Sequence, residues 1–468
     1  MPEKFIISRI LGQIAFQPTP EQAILAEKMA HLLLSREERP CLLLCGYAGT
    51  GKTSMMAGLV RAMAQMNMPF TLLAPTGRAA KVLSHYADMP AYTIHKWIYR
   101  GGRLATDGQH IEPLSLGENR ERNHLFIVDE ASMLSKELLD DLIRFVYCRI
   151  EDENGQLTDN GCRLLLLGDD AQLPPVGTGV SPALDADFLL GYGVSLITAH
   201  LTQVVRQALE SGILSNATRL RENIHTPVPP MQLIQSTPDV HLLNGRDLVD
   251  CLEQSYRDVG PAQTLVLTRS NKRTNLYNQG IRGRILCKED EVSNGDRLML
   301  IRNNYFWTKE YDNLPFLANG DTFEVTRLRN FRELYGYRFC DAMLQSLDYE
   351  WEISAVLWLD TLTADTPEQC QDMLQDLYHK IAEDYPEIKN KRDLRDKILL
   401  SPYFNALQMR FAYAVTCHKA QGGQWKRVFI DPGALDMEGM TPSADGMRWM
   451  YTALTRATEM VYLLKNTK

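Results

Sequence analysis

The sequence lacks any run of apolar residues long enough to cross a membrane. No segment approaches the roughly 20 apolar residues that a span requires, and the first 13 residues hold too short an apolar run for a signal peptide. Short internal repeats and Ser- or Gln-rich tracts are also missing. These absences argue against membrane-spanning, secreted and repeat proteins, and we expect a folded cytoplasmic protein.

Cysteine spacings that bind zinc or mark a disulfide framework are missing as well. None of the 9 cysteines stands in a Cys-x-x-Cys pair, and Cys41, Cys45 and Cys417 lie within apolar or motif segments. This distribution is typical of reduced, buried thiols. We therefore expect neither disulfides nor a structural metal.

The chain has no excess of basic residues. It contains 50 Lys and Arg against 58 Asp and Glu, a net charge of -8, which argues against a broad basic surface for nucleic acid. A charged stretch is as often a solvated face as a binding surface, and both interpretations are open at this point. Two stretches are locally basic: Arg78, Lys81, Lys96, Arg100 and Arg103, with one acid among them, and Arg269, Lys272, Arg273, Arg282, Arg284 and Lys288, with none.

Apolar runs followed by helical patterns recur along the chain. With 468 residues, the chain exceeds what one hydrophobic core usually supports, so that more than one domain is expected. The alternation predicts an α/β fold with two parallel, doubly wound sheets, in domains 1–210 and 211–468. The runs are 41–45, 71–74, 125–128 and 163–167, then 264–268, 427–430 and 461–464.

The second predicted domain is interrupted by two insertions. Residues 289–365 contain short strand patterns separated by turns, which predict a small β-barrel. Residues 366–405 have the pattern of charged amphipathic helices that break at Pro386 and Pro402. We assign the helical insertion no chemistry. The strand patterns lie at 296–302, 321–329, 335–340 and 351–359.

A complete phosphate-binding loop, Gly-Tyr-Ala-Gly-Thr-Gly-Lys-Thr, occupies residues 46–53 between an apolar strand and a helical pattern. Its glycines allow backbone N–H groups to close on phosphate oxygens, Lys52 reaches the β- and γ-phosphates, and Thr53 coordinates magnesium. A glycine-rich turn by itself does not explain Lys52 followed by Thr53. The predicted ATP contacts here are Gly46, Ala48, Gly49, Thr50, Gly51, Lys52, Thr53 and Ser54.

Two further strand ends carry polar side chains. Asp129 and Glu130 follow the run 125–128, where Asp129 can hold magnesium and Glu130 can polarise the attacking water. An isolated Asp-Glu pair is usually a surface turn, but behind a phosphate loop catalysis is favoured. Gln172, after the run 163–167, offers an amide that can sense the γ-phosphate.

The order of these motifs along the chain resembles that of the superfamily 1B DNA helicases, in the group that contains RecD and Dda. The resemblance covers nearly the whole chain. It implies two tandem RecA-like ATPase domains, ATP and Mg²⁺ as ligands, and single-stranded and forked DNA as partners. It also implies movement from 5′ to 3′ along single-stranded DNA with unwinding of duplex, and we expect a monomer.

The resemblance implies further nucleotide contacts. Residues 16–22 resemble the element that reads adenine, which implies an adenine contact for Gln22, while Thr19 is at the same time a candidate helix N-cap. Two later segments resemble those that bring arginines, here Arg206 and Arg456, to the γ-phosphate. The implied catalytic set is Lys52, Glu130, Gln172, Arg206 and Arg456, and Gln421 and Gly422 belong to the motif that links the DNA strand to the nucleotide.

The implied DNA contacts come from both predicted domains. By itself His95 would be interpreted as a core histidine. Residues 100–118, within an insertion at about 100–122, form the candidate for a hairpin that splits the duplex. Aromatic residues 305–307 either stack on bases or fill the barrel core, the commoner case. The contacts implied are Pro75, Thr76, Arg78, His95, Thr416 and His418.

Two other functions remain open from the sequence. One is an ATP-driven translocase subunit of a nuclease complex, in which a partner supplies the nuclease because the chain shows no acidic nuclease cluster. The other is a nucleotide-gated DNA-binding scaffold without turnover. The intact catalytic set argues against the scaffold, which has no need of those five side chains.

Overall fold

The chain, in a computed structural model, forms two parallel β-sheets, a closed barrel and the helices that cover them. We call the part up to residue 204 lobe 1 and the part from residue 211 lobe 2. The structure describes residues 3–100, 115–151, 156–204, 211–224, 233, 237–308, 316–433 and 443–465. Within these residues, no helix combines the length and the apolar character needed to cross a membrane.

The central strand of lobe 1 is apolar throughout because both of its faces are buried. Leu42 and Leu44 pack into one hydrophobic cluster and Cys41 and Leu43 into another, on the opposite face. The strands are β1 (Pro40–Gly46), β2 (Phe70–Ala74), β3 (Ala91–Thr93), β4 (Tyr99–Arg100), β5 (Ser115–Leu116), β6 (Leu125–Val128), β7 (Arg149–Glu151), β8 (Leu157–Asp159), β9 (Arg163–Gly168) and β10 (Ser195–Leu201). Six of them form a parallel sheet in the order β10-β1-β9-β6-β2-β3.

Helices cover both faces of this sheet. The second helix, Pro20–Leu34, begins where the sequence predicts, because Thr19 and Gln22 form a reciprocal capping box and Pro20 occupies the first turn. The fourth begins after Thr76, whose hydroxyl accepts a hydrogen bond from the Ala79 N–H at 3.2 Å. The helices of lobe 1 are α1 (Glu3–Leu11), α2 (Pro20–Leu34), α3 (Lys52–Gln65), α4 (Gly77–Ala87), α5 (Ile94–Ile98), α6 (Lys136–Val146) and α7 (Ala186–Leu190).

Lobe 2 contains a second parallel sheet and the closed barrel. The sheet has the order β11-β20-β19-β12-β18, and β13 to β17 close the barrel. The strands are β11 (Val240–Leu243), β12 (Thr264–Thr268), β13 (Arg297–Leu300), β14 (Thr322–Leu334), β15 (Tyr337–Ser346), β16 (Glu352–Trp358), β17 (Leu407–Phe411), β18 (Ala414–Thr416), β19 (Trp425–Ile430) and β20 (Ala457–Leu464). The predicted α/β class with parallel sheets and a small barrel is confirmed.

The barrel differs from its prediction in two places. The strand predicted at 335–340 begins at Tyr337 and extends to Ser346, because Tyr335 and Gly336, both with positive φ, form a tight hairpin turn. The fifth strand, β17, escaped the sequence analysis because it lies between the helical insertion and the next motif. It closes the barrel by pairing with β13 and, in parallel, with β16.

The helices of lobe 2 include two within residues 366–405, where the sequence predicts a helical insertion. These pack against the barrel through Leu377, Ile381 and Ile398, which meet Phe339 and Trp358. The helices are α8 (Gly212–Asn223), α9 (Leu248–Val259), α10 (Asn271–Gly280), α11 (Pro367–Glu383), α12 (Lys391–Leu399) and α13 (Ala444–Leu454). At the proposed duplex-splitting hairpin of lobe 1, β4 and β5 pair antiparallel, and residues 101–114 lie outside the described residues.

Candidate functional site

The phosphate loop, residues 46–53, runs from the last residue of β1 into the first turn of α3. Gly49 and Gly51 adopt positive φ values of 77° and 86°, a conformation that favours glycine. A Cβ at Gly46 would lie 2.9 Å from Cγ of Lys52, so the first position of the loop has no room for a side chain. The Lys52 ammonium donates hydrogen bonds to the carbonyls of Gly46 and Tyr47, at 3.0 Å for the latter. The loop therefore combines a cation with the N-terminus of a helix, a favourable setting for an anion.

Gln22 lies behind this loop, fully buried. Its amide oxygen accepts the Thr19 N–H at 2.9 Å, and its amide nitrogen donates to the Thr50 carbonyl at 3.0 Å. Gln22 thus joins the start of α2 to the phosphate loop. The adenine contact implied for Gln22 stays a prediction.

A pair of carboxylates, Asp129 and Glu130, lies opposite the loop at the end of β6. Burial and the neighbouring Glu130 raise the pKa of Asp129 above its usual range, although the Glu130 N–H and Lys52 partly offset this. Asp129 and the Thr53 hydroxyl both line the same cavity. Two hard oxygen donors beside a phosphate site fit Mg²⁺, which is usually held by one or two protein oxygens together with substrate phosphates.

Gln172 presents an amide oxygen that has no hydrogen-bond partner among the described residues, although the side chain is only 7% exposed. Its backbone N–H donates to the Asp169 carbonyl at 3.1 Å, which fixes the loop after β9. A buried amide oxygen without a partner is costly unless water or a ligand satisfies it. Gln172 lines the cavity in which the phosphate loop lies.

Lobe 2 contributes a buried arginine to the opposite wall. The Arg456 guanidinium is held by the carbonyls of Thr452 and Gly423, at 3.1 and 3.3 Å, and by the Thr455 hydroxyl at 3.2 Å. One of its nitrogens lies 3.9 Å from a carboxylate oxygen of Glu130 in lobe 1. The predicted arginine and the predicted water-activating carboxylate therefore meet across the interface between the lobes.

The second predicted arginine, Arg206, lies outside the described residues. The segment that leads to it is anchored by Glu21, whose carboxylate accepts hydrogen bonds from the N–H groups of Thr202 and Gln203, at 2.7 and 3.1 Å. Burial would raise the pKa of Glu21, but these bonds and one from the Thr202 hydroxyl lower it. Glu21 was not identified from the sequence.

The cavity between the lobes, which we call the nucleotide cavity after the contacts predicted for it, has a volume of about 480 Å³. It brings together most of the predicted nucleotide contacts, whereas Gln22, Gly46, Thr50 and Gln421 do not line it. The predicted residues that line it are Ala48, Gly49, Gly51, Lys52, Thr53, Ser54, Asp129, Glu130, Gln172, Gly422 and Arg456.

Both backbone groups of Leu173 are bound by side chains of lobe 2. Its N–H donates to the Thr452 hydroxyl at 2.9 Å, and its carbonyl accepts from the Gln421 amide at 2.7 Å. Gln421, predicted at the nucleotide, thus holds the loop after β9. Gly422, the next residue, lines the nucleotide cavity, and a Cβ there would lie 2.6 Å from Cβ of Ala79 in lobe 1.

A second cavity at the interface, of about 220 Å³, contains three of the predicted DNA contacts. Thr76, Arg78 and His418 line it, and Arg78 also stacks on Trp425 of lobe 2. This second cavity, which we call the groove, is lined by residues of lobe 1, of the second sheet and of the barrel. Further residues that line it are Arg297, Asn319, Thr322, Lys419 and Gln421.

Burial lowers the pKa of two groove residues. Burial, helped by the neighbouring Arg410, lowers the pKa of Lys419 from 10.5 to about 8. Burial and Lys419 also lower the pKa of His418. The Lys419 ammonium donates a hydrogen bond to the side-chain oxygen of Asn319 in the barrel. Lys419 was not singled out from the sequence, although it follows His418 directly.

The remaining predicted DNA contacts do not line this groove. Pro75 separates β2 from α4, and Thr416 ends β18. The His95 ring packs 5.4 Å from that of Tyr99 and 6.0 Å from that of Phe316 in the barrel, and burial lowers its pKa. Roles in DNA binding for these three residues stay predictions. Trp307 donates to the Asn405 carbonyl at 2.8 Å and packs into the barrel, which favours the core interpretation for this aromatic.

Two family models match the chain. The model of the AAA domain matches residues 19–241, which include the phosphate loop, Glu130 and Gln172. The model of the UvrD-like helicase C-terminal domain matches residues 411–464, which include Gln421 and Arg456. Residues from both matches line the nucleotide cavity.

Among curated proteins, an ATP-dependent RecD2 DNA helicase of Deinococcus radiodurans is 28% identical over 295 residues, 60% of this chain. The chain spans 36% of the length of that relative. An uncharacterized protein, R530, of Acanthamoeba polyphaga mimivirus is 21% identical over 505 residues, and the match covers 94% of this chain and 98% of the length of R530.

Solved structures of Pif1 helicases are also similar to the chain. A structure of two coordinating Pif1 helicases at forked double-stranded DNA contains a chain that is 17% identical to this one. The match covers 96% of this chain and 92% of that chain, with a TM-score of 0.49. A Pif1 helicase from Bacteroides with ADP-AlF3 and single-stranded DNA is 16% identical, with the same coverage and TM-score. The AAA-domain match, the UvrD-like helicase C-terminal match and the RecD2 relative together support a RecD/Pif1-like helicase of superfamily 1B.

Proposed function

We propose that this chain is an ATP-dependent DNA helicase that hydrolyses ATP between its two lobes and moves along single-stranded DNA. The observation that carries the proposal is the 3.9 Å approach of Arg456, from lobe 2, to Glu130, across the cavity that contains the phosphate loop of lobe 1. A cavity with a phosphate-binding cation on one wall and an arginine on the other is suited to phosphoryl transfer. The RecD2 relative supports the proposal. The oxygen donors of Asp129 and Thr53, which fit Mg²⁺ beside the phosphate loop, support it as well.

In this proposal the polar side chains around the cavity have separate tasks. Lys52 neutralises the β- and γ-phosphates, and Glu130 accepts a proton from the attacking water. Gln172 offers its unpaired amide oxygen to that water or senses the γ-phosphate. Arg456 and Arg206 stabilise the charge that develops on the transferred phosphoryl group. Thr53 and Asp129 would hold Mg²⁺, which would neutralise charge on the phosphates when bound.

The proposed motion depends on the two lobes acting as separate domains. Gln421 lines the groove and Gly422 the nucleotide cavity, so that one short segment touches both sites. Loss of the γ-phosphate weakens the contacts across the cavity and shifts the lobes towards an open state. Because the groove is formed by both lobes, each opening and closing changes the grip on the strand. We propose movement from 5′ to 3′, as the family resemblance implies.

The test of this function is ATP hydrolysis by the purified chain with and without single-stranded DNA. We expect hydrolysis that requires Mg²⁺ and that DNA stimulates by at least about tenfold, because the strand favours the closed lobes. A matched pair of variants, Lys52→Ala and Lys272→Ala, separates the site from a general loss of positive charge. Hydrolysis at the parental rate in Lys52→Ala, or no stimulation by DNA in the parent protein, would overturn the proposal.

A further inference from the structure

The hydroxyl of Tyr451 connects two loops of lobe 1, although the residue belongs to α13 of lobe 2. It accepts a hydrogen bond from the N–H of Ala48, in the phosphate loop, at 2.9 Å. It donates a hydrogen bond to a carboxylate oxygen of Asp169, at the end of β9, at 2.5 Å. The tyrosine is 1% exposed and Asp169 also 1%, so water does not substitute for either bond. The phosphate loop and the loop after β9 are therefore joined through a side chain of the other lobe.

Asp169 in turn fixes the turn that carries Gln172. Its second carboxylate oxygen accepts the Ala171 N–H at 3.1 Å, and its carbonyl accepts the Gln172 N–H at 3.1 Å. Tyr451 thus acts on the position of Gln172 through Asp169, and on the phosphate loop through Ala48. The two loops that flank the γ-phosphate position share this hydroxyl as their common contact with lobe 2.

These bonds require that lobe 2 is packed against lobe 1. Thr452, the next residue of α13, binds the Leu173 N–H, and Arg456 follows two residues after the end of the helix. Ala171 and Leu173 of lobe 1 belong to the hydrophobic cluster that contains Tyr451, and Tyr47 and Ala48 of the phosphate loop pack against it, whereas its other members come from lobe 2. Separation of the lobes would expose this apolar surface and break the hydrogen bonds of Tyr451 together.

We propose that Tyr451 is a positioning residue that couples closure of the lobes to ATP hydrolysis, by aligning the phosphate loop and Gln172 through Ala48 and Asp169. The inference rests on the proposed ATP hydrolysis and adds a role for Tyr451, which belongs to the same segment as Arg456 but was given no role of its own in the sequence analysis. Tyr451 touches neither the phosphates nor the attacking water in this proposal. Its effect therefore falls on turnover in the closed state rather than on nucleotide affinity.

The test compares Tyr451→Phe with Tyr277→Phe. The first keeps the aromatic ring and removes the shared hydroxyl. The second removes a comparable hydroxyl, which donates at 2.8 Å to the buried carboxylate of Asp431 within lobe 2. In Tyr451→Phe we expect kcat for hydrolysis with DNA to fall on the order of tenfold, with KM for ATP little changed, because a positioning contact is lost and the phosphate contacts stay. In Tyr277→Phe we expect kcat and the stimulation by DNA to match the parent.

A double variant decides whether the effect passes through Asp169. Tyr451→Phe combined with Asp169→Asn should be no slower than the slower of the two single variants, because Tyr451→Phe already removes the Tyr451–Asp169 bond that Asp169→Asn perturbs. A parental kcat in Tyr451→Phe, an equal loss in Tyr277→Phe, or fully additive losses in the double variant would overturn the inference. Absence of DNA-stimulated hydrolysis in the parent protein would instead overturn the proposed function itself.

Discussion

The guanidinium carbon of Arg78, in lobe 1, lies 3.9 Å from the centre of the Trp425 ring, in lobe 2. A Cβ at Gly423 would lie 2.5 Å from that ring and 2.7 Å from Nε of Arg78, so the stack is closely enclosed. Stacking of this kind is worth about 2 kcal/mol when it is desolvated. Arg78 thus contributes to the interface between the lobes in addition to lining the groove.

Replacement of this arginine tests the interface. We expect Arg78→Ala to lower DNA-stimulated ATP hydrolysis on the order of tenfold, because the closed state loses its stack on Trp425. Arg78→Lys should recover little of the lost hydrolysis rate, since an ammonium lacks the planar face of a guanidinium. Steady-state hydrolysis by the two variants measures this. Parental rates in Arg78→Ala would show that the stack does not stabilise the closed lobes.

Glu130→Gln should retain ATP and hydrolyse it slowly. The carboxamide is a poor proton acceptor, while Lys52 and the remaining phosphate contacts are unchanged, so we expect a loss of at least about 100-fold in kcat. Equilibrium binding of a fluorescent ATP analogue and single-turnover hydrolysis separate the two effects. Exposed Glu137→Gln is the matched control. Loss of nucleotide binding in Glu130→Gln would assign this carboxylate another role.

Arg456→Ala should reduce hydrolysis by about a thousandfold, the usual effect of removing an arginine that faces the transferred phosphoryl group. Binding of single-stranded DNA without nucleotide should change little, because Arg456 lines the nucleotide cavity rather than the groove. Arg257→Ala, which removes an exposed ion pair with Glu253, serves as the control. Equal losses of hydrolysis and DNA affinity in Arg456→Ala would contradict its assignment to the nucleotide.

DNA affinity should fall as the pH rises above about 8, where Lys419 loses its proton. Only the charged ammonium attracts phosphate, so the affinity is full below the pKa and declines above it. Stability changes in the opposite direction. Between about 8 and the usual 10.5, the unfolded chain binds the proton more tightly, so this group makes the folded protein more stable as the pH increases.

Binding titrations of single-stranded DNA at pH 7 and pH 9.5, at one ionic strength, measure this dependence. Lys419→Arg, which keeps its charge throughout, should remove most of it. A pH dependence that is identical in Lys419→Arg and in the parent would assign the titration to another group.

The sequence predicts those parts of the fold and site that depend on local pattern. The run 125–128 coincides with β6, and the run 264–268 with β12, because parallel strands buried on both faces are apolar throughout. The phosphate loop could be located because its glycines and Lys52 have a fixed spacing between a strand and a helix. Asp129, Glu130 and Gln172 could be predicted as site residues because each follows an apolar run that predicts a strand.

Contacts between distant segments were not predictable in this way. Tyr451 and Ala48 are 403 positions apart, and nothing near either residue indicates the bond between them. The bond from the Gln421 amide to the Leu173 carbonyl joins residues 248 positions apart and was not predicted either, and the nucleotide contact implied for Gln421 stays a prediction. Strand β17 is only five residues long and lacks a distinct pattern of its own.

The most direct test of the account is strand displacement from matched duplexes that carry either a 5′ or a 3′ single-stranded tail, with ATP and Mg²⁺. The account predicts that the protein separates the duplex with the 5′ tail, that the duplex with only a 3′ tail stays intact, and that Lys52→Ala separates neither. Displacement from the 3′ tail alone would contradict the proposed direction. A protein that hydrolyses ATP but displaces no strand from either duplex would contradict the helicase function.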